Sequence, residues 1–188
     1  MNASALPSPR SFFLTLAAEH IPAGLGGRQE FDAAGDLVAM RWDPPALVDD
    51  ATIRRALAAL RRSGWAFRQE AGGEHGGRVL RLDARAAAVE FADTPGGRVD
   101  ALLWRAGFDR YRYGTPVWGY HWDHLFGDPT EGSAYVTVHG PGSGSHANAR
   151  HRRELTDAMV RTVEAAEGWR TLRPECLDHA FHALTPEY

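Results

Sequence analysis

The clearest periodicity in the chain follows Asp49-Asp50. Ile53, Ala56, Leu57 and Leu60 recur at helical spacing, while arginines 54, 55, 61 and 62 fill positions between them. Either aspartate can cap this helix, and Gly64 supplies its left-handed stop. A longer helix is predicted over 147–167, with Leu155, Met159, Val163 and Ala166 as its buried stripe and Gly168 ending it. Two more helices are expected toward the termini. A short one capped by Ser11 points Phe12, Phe13 and Leu16 one way, and a last one opens at Pro174 and buries Leu177, Phe181 and Leu184.

Alternating and apolar runs bounded by glycine and proline predict strands over 28–31, 36–42, 65–70, 78–83, 86–92, 98–105 and 134–139. Thr94-Pro95-Gly96-Gly97 reads as the turn between two of them. Runs of adjacent strands with helices around them define an α+β fold: a single, largely antiparallel sheet of about six to seven strands packed with about three to four helices. Residues 1–10 carry two prolines and few apolar groups and are expected to form a flexible tail, leaving 11–188 as one domain. A chain of 188 residues, 44% hydrophobic, suits one core, and no internal repeat is visible.

All 21 basic residues are arginine, because the chain has no lysine. Walker A loops, Schiff-base enzymes, protein kinases and serine/lysine hydrolases each need a lysine nitrogen and are excluded. Abundant alanine and glycine beside missing lysine point to a GC-rich bacterial origin. The net charge of −3 lacks the basic footprint of nucleic-acid binding, so no nucleic acid is expected as partner. Cys176 stands alone, which excludes an internal disulfide and an iron-sulfur cluster, and no stretch has the length of a membrane span. A cytoplasmic protein with no membrane partner is the expectation.

The segment 106–133 is crowded with rings. Tyr113, Trp118, Tyr120 and Trp122 lie there beside Asp123. Such rings either pack over one more strand at 110–118 or line a surface that anchors a ligand. Within it, His121-Trp122-Asp123-His124 sets two imidazoles and a carboxylate in four residues. On a strand, His121 and Asp123 share one face, which is the His-x-Asp half of a facial triad for a divalent metal. His124 and distant histidines, His139 among them, are its further candidates. The string is similar to the His-x-His-x-Asp-His signature of metallo-β-lactamases, but Gly119 stands where the first histidine is required. A cupin would need a histidine at the place of Asp123.

The glycine-rich run after His139 opens the long helix, and Arg152 and Arg153 on that helix offer planar donors to an anion. Residues 139–144 resemble the pyrophosphate loop of acetyltransferases, but too little chain follows for the rest of that fold. Two functions are therefore expected. The first is a binding protein that recognises a protein or small-molecule ligand through 106–133, with Tyr113, Trp118, Tyr120, Trp122, Asp123, Arg152 and Arg153 as contacts. The alternative is an enzyme, metal-dependent through His121, Asp123 and His124, or using His121, Asp123 and His139 as acid and base.

Overall fold

The first two strands expected from the sequence are both present, the second beginning at Leu37. In this computed structural model, which describes residues 28–33, 37–42, 49–62, 66–72, 77–82, 91–113, 115, 117–123, 132–140 and 146–185, β1 (Arg28–Phe31) pairs antiparallel with β2 (Leu37–Trp42). The expected tail, the Ser11 helix, most of the 86–92 strand, His124 and the 141–145 turn lie outside these residues. Phe91 and Ala92, which end the 86–92 strand, are not in a strand.

Helix α1 (Asp50–Arg62) follows β2 and begins as the sequence predicts. The Asp49 carboxylate accepts the Thr52 N–H at 2.6 Å, and that bond holds its pKa below the ordinary value. Ile53, Ala56, Leu57 and Leu60 are all buried. At its far end the buried Arg61 guanidinium donates twice to the Phe67 carbonyl, at 3.0 and 2.9 Å, tying the helix to β3 (Phe67–Gly72). β3 pairs with β4 (Gly77–Leu82), and β4 returns to pair with β2, so the sheet runs β1-β2-β4-β3, antiparallel throughout. One face carries Phe67 and Leu80, both fully buried. The other is crossed by ion pairs linking all four strands: Arg41 to Glu30, Glu30 to Arg81, Arg81 to Glu70 and Glu70 to Arg68.

The chain divides into two compact units, Met1–Val89 and Glu90–Tyr188. The second opens with α2 (Pro95–Arg105), where the sequence suggested a turn and a strand over 98–105. Thr94 is its N-cap, its hydroxyl accepting the Gly97 N–H at 3.1 Å, and Pro95 sits in the first turn, where its missing N–H costs nothing. Val99 and Leu103, one turn apart, are fully buried. β5 (Gly119–Asp123) and β6 (Ser133–His139) form an antiparallel pair, α3 (His146–Glu164) follows, and β7 (Arg170–Leu172) and β8 (Ala180–Leu184) complete the sheet. β8 replaces the expected last helix, and β7 was not anticipated. Pairing along β6 decides this, since Val136 faces Phe181 and Ala134 faces Ala183, all four buried in the core.

The protein is thus α+β, but its strands form two four-stranded antiparallel sheets, with three helices among the described residues, rather than one sheet. In each unit the last strand of the pair after the central helix returns to the second strand of the pair before it, β4 to β2 and β8 to β6, so each set of four forms its own sheet. The units trace the same path: β1-β2-α1-β3-β4 in the order β1-β2-β4-β3, then β5-β6-α3-β7-β8 in the order β5-β6-β8-β7. Its one visible trace in sequence is a Gly-Trp step after each central helix, Gly64-Trp65 and Gly168-Trp169. Gly168 takes a φ of 78°, the left-handed stop that glycine permits. No helix among the described residues is long and apolar enough to cross a membrane.

Candidate functional site

Alternation along β6 sorts the second unit into two faces. Ala134, Val136 and Val138 point into a core shared with Val99 and Leu103 of α2 and Leu155, Met159 and Val163 of α3. Ser133, Tyr135, Thr137 and His139 point the other way. The register continues that outer face across the sheet: Asp123 lies opposite Tyr135 and Tyr135 opposite His182, while His121 lies opposite Thr137. Rings meet on it in pairs. Tyr135 and His182 have centroids 4.8 Å apart, and so do His139 and Tyr111, the latter delivered by the segment before β5.

The rings that the sequence groups into one surface are divided between these faces. Tyr120 is 1% exposed, and its hydroxyl donates to Asp100 Oδ1 at 2.6 Å. Asp100, itself buried, also receives both arms of Arg110, at 2.9 and 2.6 Å. The Arg110 guanidinium lies over the rings of Phe91 and Trp104. Arg110 meets Tyr120 in a single parallel bridge, and the described residues of 110–118 do not form a strand. Trp122 is partly buried against the core, where its ring occupies the space a side chain on Gly96 would need. Trp118 fills the corresponding space at Gly140 and meets the His151 ring edge-on at 4.9 Å. Tyr113 is the exception, 96% exposed. Three of the four predicted ring anchors therefore support the sheet from the core side. Tyr111, Tyr135 and His182, which the sequence pattern did not single out as contacts, belong to the outer face. Period-two alternation in 133–139 was the signal that could have found Tyr135.

His121 and Asp123 share the outer face, as the His-x-Asp spacing predicts. His139 joins them, with Nε2 2.8 Å from the Thr137 hydroxyl. Burial foremost, then the positive charges that His121, His179 and Arg152 present, hold the His139 pKa below its ordinary value. Among the described residues no three His, Cys, Asp or Glu side chains are grouped to hold a metal ion, and His124, the third member of the predicted metal set, lies outside them. Arg153 donates to Asp178 at 3.0 Å, and Arg152 lies near both Asp178 and His139.

The architecture defines a class: an α+β protein whose second sheet is covered by helices on one face and carries tyrosine and imidazole rings on the other. No family model matches the chain, and neither a curated protein nor a solved structure matches it significantly.

Proposed function

We propose that this is a binding protein, and that the outer face of the β5-β6-β8-β7 sheet takes a small ligand with a planar, ring-sized body. The observation that carries the reading is the pair of ring contacts on that face, Tyr135 with His182 and Tyr111 with His139. In the first unit the corresponding sheet fills one face with a self-neutralising ladder of arginine and glutamate. Flat rings offer stacking area at low entropic cost, which salt-bridged side chains do not. Size favours a small molecule over a protein. Four strands about 4.8 Å apart and about five residues long present about 300 Å², well below the roughly 800 Å² per partner of a standard protein interface.

Indole, a neutral planar probe, tests this by amide chemical-shift mapping on the whole chain. Tyr135, Thr137 and His182 are expected to move together, and Tyr135→Ala should weaken indole binding by about tenfold or more. Shifts confined to other elements, or none, would refute the reading.

One observation favours a second reading, acid–base catalysis by His121, Asp123 and His139. His139, its pKa lowered by burial first, has His121 diagonally across from it, and Asp123 follows His121 on the same face of β5.

A further inference from the structure

At the end of the second sheet, where β6 finishes, α3 begins and β8 starts, cationic groups outnumber their counter-charge. His139 closes β6, and the register sets His121 diagonally across from it on β5. His179 arrives from the other flank, because its carbonyl accepts the Val138 N–H at 2.9 Å. α3 contributes Arg152 and Arg153, and Tyr111 covers one side of the His139 ring. Asp178 is the carboxylate facing this group, and it is already engaged: Arg153 donates to it at 3.0 Å, while His179 Nδ1 lies 3.5 Å away. Arg152 Nε is buried and has no hydrogen-bond partner among the described residues. A buried guanidinium N–H without an acceptor is rare in folded proteins, and an acceptor delivered by a ligand resolves it.

We propose that this corner binds an oxyanion, the phosphate or carboxylate group of a small ligand. Arg152 serves as the permanent cation, His139 joins it as it protonates, and His179 flanks them. The proposal rests on the ring-bearing face for the rest of the ligand and names that ligand's charged group. An anion seated here replaces the repulsion among His121, His139, His179 and Arg152 with attraction. Affinity therefore rises as pH falls through the histidine range, and bound anion raises the His139 pKa. Phosphate and carboxylate share this chemistry, and each keeps at least one negative charge throughout the histidine range.

The test uses the whole chain with inorganic phosphate and with acetate, each against chloride at equal ionic strength, at about pH 6 and about pH 8. Thermal stabilisation and the histidine ring-proton resonances are read together. Phosphate should raise the melting temperature more at the lower pH and move the His139 and His179 ring resonances. A larger response to acetate assigns the site to a carboxylate. Arg152→Gln should weaken binding about tenfold, whereas Arg150→Gln, which removes the same charge from an 83% exposed side chain paired with Glu154, should leave it unchanged. Equal losses in both variants would overturn the proposal, since diffuse charge would then explain the effect. Should Arg152→Gln fail to fold, the resonance titration of the unaltered protein decides. Unmoved His139 and His179 resonances with both anions, while indole still binds, refute the corner and leave the ring face standing.

Discussion

Replacing Asp100 with alanine removes the acceptor at the centre of the Tyr120 and Arg110 network. Asp100 is 4% exposed and receives three donors: the Tyr120 hydroxyl at 2.6 Å and the Arg110 Nε and Nη2 at 2.9 and 2.6 Å. The Arg110 side chain is 41% exposed and regains water, so its part of the loss is at most about 1 kcal/mol. Tyr120 is 1% exposed and cannot turn to water. Its hydroxyl still meets the Asp100 backbone carbonyl at 3.2 Å, but the short bond to the carboxylate is gone, and a lost hydrogen bond to a charged group costs about 1.5–3 kcal/mol. Asp100→Ala is therefore expected to destabilise the second unit by about 2–4 kcal/mol, and Tyr120→Phe by about 1.5–3 kcal/mol. With the carboxylate already gone, deleting the hydroxyl adds little, so the double variant should cost scarcely more than Asp100→Ala alone. Urea unfolding followed by circular dichroism measures the totals. Amide exchange at Tyr111 and Tyr120, whose N–H groups bond to Tyr120 O and Asp109 O at 2.7 and 2.9 Å, reports on the second unit alone. If the two losses add within about 0.5 kcal/mol, the hydroxyl–carboxylate bond is not what stabilises this corner.

His139 makes stability depend on pH. Its folded pKa is depressed below 6.5, by burial first and then by His121, His179 and Arg152, so between the two values the unfolded chain holds the extra proton. Stability from this group is full above about 6.5 and is lost as pH falls through the folded pKa. His139→Gln should flatten the rise in the urea midpoint between about pH 5 and about pH 8, and an unchanged slope would contradict the assignment. Gly97→Ala should destabilise the protein despite a helix-propensity gain of about 1 kcal/mol. Its Cβ would overlap the Ala92 carbonyl, and overpacking against backbone costs about 1–3 kcal/mol, so a raised melting temperature would refute the close approach.

Helices α1 and α3 were legible because each repeats an apolar stripe over at least two turns and ends near a glycine. β6 was legible through its period of two. α2 was misread because two glycines after Thr94-Pro95 imitate a hairpin turn, although the same dipeptide is also a cap followed by a first-turn proline. β8 fits both templates. Leu177, Phe181 and Leu184 are spaced for a helix, while Phe181 and Ala183 alternate as a strand requires, and five residues cannot choose between them without β6 alongside. Division into two sheets had no local signal, because it depends on which distant strand β4 and β8 meet. The site divides in the same way. That His121 and Asp123 share a face follows from the pleat alone. That His139, His179 and Arg152 join them is set by register and by where α3 starts, neither of which a single strand's pattern contains.

Two ladders of the same topology, with no described strand shared between them, give this chain a division of labour that one eight-stranded sheet would forbid. A one-residue slip inverts every side chain of the strand that slips and disturbs its pairing with the strands beside it. Here a register change in β5 to β8 stops at the limits of its own ladder. Seven of the nine histidines fall in the second unit, while the first keeps its arginine and glutamate lattice. Selection can therefore rewrite the chemistry of one face without renegotiating the hydrogen bonds that keep the other folded.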